Sequence, residues 1–305
     1  MFKKVLLIPI IACGTLVLVG CDNSDSSKVT KTYEITENFS NFQIDLGVSD
    51  FEIKVSEDES KKVVYEDTKH LTHSVEVKDD ALVIKETDTH KWYDFEFNLN
   101  VSVKVYLPSA EYNALSFKGS TGNVNIPHDY FFNSASLKLS TGNINFSANV
   151  AEYTNIEAST GHVKVSDVAT KGLTLKTSTG NINVTNVAVT EDIKCNVSTG
   201  NVSFTDVTGE NLSIEGTTGN VTLTNTVINK HMELKTSTGN IKIVDSDAET
   251  LNIKTTTGDV KGTLLTDHHF IVKSDTGKVK YPEEAEGGIC RIETNTGDVD
   301  IQIKH

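Results

Sequence analysis

Five positions at intervals of 19 or 20 residues, Asp167, Asn186, Asp206, Asn225 and Asp245, alternate carboxylates with amides along the second half of this chain. Oxygens repeated in this way are raw material for a Ca²⁺ column, which makes Asp167, Asp206 and Asp245 the weak metal candidates of the sequence. A calcium cage, however, converges six to eight oxygens on one point, and the glycine-aspartate nonapeptides of calcium-binding β-rolls are missing. Asp and Asn serve equally well as turn residues, and their alternation limits like-charge stacking. The other concentration of chemistry is Asp267-His268-His269. Polysaccharide hydrolysis needs paired carboxylates, or a carboxylate with a basic residue, converging on one groove. These three fall between two strand patterns, where exposure is expected, and no other repeat departs from its neighbours with such a cluster. Phosphate loops, nucleophile elbows and metal-spaced His or Cys sets are also missing from the sequence. No catalytic residue, cofactor or resident metal is therefore expected.

What must position these residues is a repeat. Ser140-Thr141-Gly142-Asn143-Ile144-Asn145-Phe146 recurs in near copies whose glycines are Gly122, Gly142, Gly161, Gly180, Gly200, Gly219, Gly239, Gly258, Gly277 and Gly297, each preceded by threonine. A period of 19 or 20 residues held this tightly signals a repeat architecture. Apolar residues alternate before the glycine, as in Leu173 and Leu175, and after it, as in Ile182 and Val184, which is strand periodicity with one buried face. Glycine supplies the positive φ of a tight turn, and the Asn that follows in most copies suits the same turn. A barrel of hairpins would want longer strands with aromatic girdles, whereas near-constant length with Thr, Gly and Asn in register is what stacking selects. The expected fold is all-β, a right-handed parallel β-helix of about ten coils, each stacked on the last at roughly 4.8 Å. The outward column Lys138, Glu157, Lys176, Asn196, Glu215, Lys235, Lys254, Lys273 and Glu293 reads as a solvated face with weak ladder ion pairs.

The first twenty residues carry Lys3 and Lys4 and then an apolar run from Val5 to Val19, too short for an ordinary membrane span and typical of a secretory signal. The run ends in Leu18-Val19-Gly20-Cys21, which resembles the lipobox of bacterial lipoproteins. That resemblance implies cleavage before Cys21 and acylation of its thiol and amine, and two or more acyl chains anchor stably where one would not. Asp22 to Lys31 has nothing to bury and reads as a tether. The net charge of −14, more negative without Lys3 and Lys4, is unsuited to nucleic acid. Cys195 and Cys290 occupy inward positions five coils apart by sequence, beyond disulfide reach, and read as buried thiols.

The expected organisation is a signal peptide at 1–20, a tether at 21–31, a β-rich capping region at 32–107 and solenoid repeats at 108–305. Within the cap, Val75 and Val77 with Leu82 and Ile84 flank Asp79-Asp80, Gly47 to Ile53 looks like a worn copy of the repeat, and Phe95 to Leu107 alternates as one long strand stopped by Pro108. The run Val101 to Pro108, with the Ser-Thr-Gly-Asn units behind a lipobox, resembles the Toastrack family of bacterial envelope proteins, also called putative adhesins, over about residues 40 to 303. The resemblance implies a β-helical repeat domain and a cell-surface role, in some members near envelope-stress genes, with no agreed catalytic residues. The function expected is a non-enzymatic, lipid-anchored, extracytoplasmic rod at the bacterial cell membrane that engages cell-wall glycan or an envelope protein. The alternative is a divergent polysaccharide-processing β-helix enzyme.

Overall fold

The computed structural model describes residues 16–18, 28–90, 100–283 and 286–304, and every regular element among them is a β-strand. Each coil is built alike. Gly172–Thr179 runs to the turn at Gly180 and Ile182–Val189 leaves it. The first strand pairs in parallel with Tyr153–Thr160 and Asp192–Thr199, the second with Val163–Thr170 and Val202–Thr218. Parallel pairing with both flanking coils makes the solenoid and excludes a meander of hairpins. The alternation read from sequence is the burial pattern observed. Leu137, Ile156, Leu175, Cys195, Ile214, Leu234, Ile253 and Ile292 form one inward column, each no more than 1% exposed. Each such side chain contributes about 1.5–3 kcal/mol by leaving water.

All ten turn glycines have positive φ, from 128° to 153°. Positive φ is only part of the reason for glycine. A Cβ on Gly200 would stand 1.9 Å from the carbonyl oxygen of Gly180 in the preceding coil, so the coils approach at a spacing that admits no side chain there. The residues after the glycines do not share the positive φ. It reappears instead at Asp167, Asn186, Asp206, Asn225 and Asp245, between 48° and 60°, where the chain turns a second corner. Asp and Asn tolerate this left-handed conformation better than other residues with a Cβ.

The coils do not all stack in the order of the sequence, contrary to expectation. Gly288–Thr296 pairs with Asp247–Thr257 on one side and His268–Thr276 on the other, and Val299–Ile303 lies likewise between Val260–Leu264 and Val279–Lys280. The last coil in the chain is thus the penultimate rung. The beginning mirrors this arrangement. Asn41–Leu46 lies between Ala81–Asp88 and Glu111–Thr121, and Asp50–Val55 between Ser102–Leu107 and Val124–Ile126. The worn copy at Gly47 to Ile53 is therefore a true coil, with Ser49 in the glycine column against Gly122. One consequence is that Cys195 and Cys290 lie four rungs apart rather than five. Both are buried free thiols, and burial pushes the Cys290 thiol up to about 12.

Antiparallel strands cover the first rung. Leu71–Lys78 folds back on Ala81–Asp88 through a turn with positive φ at Asp79 and Asp80. Lys62–Asp67 pairs with Ser102–Leu107 and with Val29–Glu34. Ser102–Leu107 is the described part of the long strand expected from Phe95, whose first half lies outside the described residues. At the far end Phe270, Val272 and Tyr281 lie half-buried over the core, the Phe270 and Tyr281 rings 5.7 Å apart.

Candidate functional site

Stacking brings together groups that lie 19 or 20 residues apart. After the turn glycines runs an unbroken hydrogen-bond ladder. Asp50 accepts from the backbone N–H of Asn123, and each following side chain accepts from the next coil, through Asn143, His162, Asn181, Asn201, Asn220, Asn240, Asp259 and Asp298 to the N–H of Lys278. The ten bonds span 2.6–3.1 Å. This is what the asparagines do: they join coils instead of shaping the turn. His162 takes its place by accepting through Nδ1, which fixes the proton on Nε2. Lys278 has no acceptor to offer and ends the ladder.

The second-corner residues form a shorter ladder. Asn186 donates to Asp167 at 2.7 Å and Asn225 to Asp206 at 3.1 Å, while Asp245 accepts from Thr263 at 2.9 Å and pairs with Lys304. The carboxylates of the calcium candidates are thus engaged with neighbours. Among the described residues no three His, Cys, Asp or Glu side chains are grouped as metal ligands.

On the outward column, Lys138 pairs with Glu157 at 3.5 Å, Lys235 with Glu215 at 3.9 Å and Lys254 with Glu293 at 3.1 Å. Over Lys176, Asn196, Glu215 and Lys235, where Gly216 withholds a side chain, the surface dips into an open groove of about 390 Å³. One carboxylate between two ammonium groups lines it, and no carboxylate pair faces across it.

The sequence reading missed two buried clusters, one at each end where the coil order inverts. At the first, Ser49 Oγ lies 2.9 Å from His73 Nε2, and His73 Nδ1 lies 2.9 Å from Asp67. This is the connectivity of a Ser-His-Asp triad, but it is sealed and its donors are spoken for. All three residues are buried. Glu86 accepts from the N–H groups of Val48 and Ser49 and lies 3.5 Å from His73 Nε2, while Lys31 pairs with Asp67 at 2.7 Å. Burial alone would push His73 down, but its bonds to Asp67 and Glu86 outweigh that and hold it above the ordinary histidine range. Burial likewise pushes Asp67 and Glu86 up, and the hydrogen bonds they accept outweigh it and hold both below the carboxylate range. The cluster joins two carboxylates, an imidazole and an ammonium, and the direction of each shift favours the charged form. A protonated His73 cannot take a proton from Ser49, and Glu86 occupies the N–H that would stabilise an oxyanion.

At the other end His268 Nε2 lies 2.7 Å from Asp247, whose second oxygen accepts from the N–H groups of Leu265 and Thr266 and from the Thr266 hydroxyl. His268 is buried, contrary to the exposure expected for Asp267-His268-His269; its two neighbours are exposed. Register explains the difference, because His268 begins the terminal strand with its ring turned against the threaded coil, where Nδ1 meets the carbonyl of Gly288 at 3.2 Å. Cys21 lies outside the described residues.

The family model of the Toastrack DUF4097 proteins matches residues 39–194 and again 173–305. The chain belongs to the Toastrack family. Among curated proteins no relative matches. The crystal structure of a putative adhesin from Parabacteroides distasonis is 16% identical, with 90% of this chain and 98% of that chain covered and a TM-score of 0.50. That of a putative lipid binding protein from the same organism is 15% identical, with 87% and 97% covered and a TM-score of 0.46. At these identities the first likeness bears on the fold alone, and it agrees with the solenoid. In this Toastrack chain the polar groups of the outward column recur coil after coil, whereas the two histidine clusters, Ser49-His73-Asp67 and Asp247-His268, are buried at the two ends.

Proposed function

We propose that this Toastrack chain is a non-enzymatic, lipid-anchored module of the bacterial cell envelope, held at the membrane through Cys21 and presenting a rigid, extracytoplasmic ladder to cell-wall glycan. The observation that carries the reading is the repetition of exposed groups. Catalysis concentrates a few groups with shifted pKa values at one accessible place. Here the outward column offers lysines and glutamates, with one amide at Asn196, from Lys138 to Glu293, and many weak equivalent contacts suit a polymer through avidity. The name of the Parabacteroides distasonis putative adhesin accords with a role at the cell surface.

The test is binding of the full-length protein in detergent to isolated cell walls, across variants shortened by whole coils. Deletion of residues 181–200 joins Gly180 to Asn201 in the same turn and removes one rung. Affinity should fall in steps with the number of coils removed. Release of reducing ends from the glycan, or complete loss on substituting one exposed carboxylate, would replace this reading with the polysaccharide-processing enzyme. For the anchor, Cys21→Ala should shift the protein out of the carbonate-washed membrane fraction, and unchanged retention would refute it.

A further inference from the structure

Tyr153 is 52% exposed, a large aromatic ring left in water on a chain whose other big rings mostly line the core. It opens the strand Tyr153–Thr160, and its register partner in the next coil is Gly172. A Cβ on Gly172 would lie 2.6 Å from Tyr153 Cδ1 and 2.8 Å from Cε1, so the ring rests against the glycine where any other residue would lift it. Further along the same column come Asp192, Asn211, His231 and Thr250, and only at Gly172 is the side chain withheld. The ring is also fixed by its hydroxyl and by an ammonium group over its face. Its hydroxyl donates to Glu191 at 3.2 Å, and Lys171 Nζ stands 5.5 Å from its centroid while bridging Glu152 at 3.0 Å and Glu191 at 3.8 Å.

An aromatic ring seated on a glycine, half exposed and flanked by two carboxylates and an ammonium, combines an apolar platform with convergent polar groups. A pyranose has the complementary shape, with an apolar face of C–H groups to stack on the ring and hydroxyls at its rim for the half-exposed Glu152 and Glu191. Two carboxylates against one ammonium leave the surroundings negative, which selects against uronates and other acidic sugars. We infer that Tyr153, seated on Gly172 and flanked by Glu152, Lys171 and Glu191, is a stacking subsite for an uncharged pyranose ring of a glycan chain. The inference rests on the glycan reading above and assigns it a place on the rod.

The experiment measures binding of a β-1,4-linked N-acetylglucosamine tetramer to the full-length protein in detergent, by saturation-transfer NMR and calorimetry. Tyr153→Ala should weaken binding by about tenfold, the ratio that 1.4 kcal/mol of lost stacking gives. Gly172→Ala, which lifts the ring without removing it, should weaken it similarly. Tyr153→Phe should stay within about threefold of the parent, because the platform survives loss of the bond to Glu191. Tetragalacturonate should bind more weakly than the neutral tetramer. Unchanged binding in Tyr153→Ala with an unaltered melting curve overturns the inference, as does tetragalacturonate binding equal to or tighter than the neutral tetramer. If the parent binds cell walls but not the tetramer, the subsite is refuted while the glycan reading stands; binding of neither refutes both.

Discussion

Replacing Gly200 by alanine tests the stacking directly. The added Cβ would stand 1.9 Å from the oxygen and 2.6 Å from the carbon of the Gly180 carbonyl, whereas a C–H···O contact settles at about 3.3 Å. The two coils would have to part by about 1.4 Å at that corner. Such a shift breaks the bond from the Gly180 N–H to the Thr199 carbonyl, 2.9 Å long, and strains the ladder bond from the Asn201 N–H to Asn181, 2.8 Å long. Each bond contributes about 1 kcal/mol net. The φ of 148° at Gly200 costs a residue with a side chain another 1–3 kcal/mol or so. The expected loss is about 3–5 kcal/mol. Gly216→Ala in the next coil is the control. Its φ is not in the positive region, and its Cβ would meet Thr236 at 3.4 Å, an ordinary contact. That variant should match the parent or gain up to about 1 kcal/mol by narrowing the unfolded ensemble. Urea unfolding followed by far-ultraviolet circular dichroism reads both. Equal midpoints for the two variants would show that the coils are not packed backbone to backbone at the turn, and the account of the glycine column would fall with them.

Two further outcomes follow from the ends and the ladder. The raised pKa of His73 means that its stabilisation is complete below the ordinary histidine value of about 6.5 and is lost as pH rises through the raised folded value; the lowered Asp67 and Glu86 contribute above about pH 4 and lose that contribution as pH falls. The melting temperature should therefore decline as pH rises above about 6.5, and His73→Gln should remove that slope; a parent midpoint that rises there would contradict the ion network. In the ladder, His162→Ala leaves the Asn181 N–H without its acceptor and should cost about 1 kcal/mol, while His162→Asn restores the repeat and should be at least as stable as the parent. Equal stability of the two variants would show that the His162 bond contributes nothing.

The solenoid was legible because its causes are local and periodic. Two-residue alternation around Leu173 and Leu175 or Ile182 and Val184 dictates which side is buried, and a glycine every 19 or 20 residues marks where one coil meets the next. The lettering of the second corner was visible as well, although its meaning, a left-handed backbone at Asp167 and its equivalents, needed the fold. The order of the coils could not be read. Gly258, Gly277 and Gly297 keep the period unbroken, yet the coil of Gly297 sits inside that of Gly277. The physical reason is what each coil can offer a neighbour. After Gly277 the strand is only Val279–Lys280, followed closely by Pro282, which cannot donate to a ladder. After Gly297 it runs from Val299 to Ile303, with Val299 and Ile301 fully inward. The coil able to pair on both sides takes the inside, and the one that can pair on only one side takes the end. The buried clusters follow from that choice. Ser49, Asp67, His73 and Glu86 are scattered through a region of weak pattern, and nothing in their spacing brings them together. Only threading the first coil beneath the hairpin of Leu71–Lys78 and Ala81–Asp88 sets Ser49 against His73, where removal from water obliges every charge to find a partner.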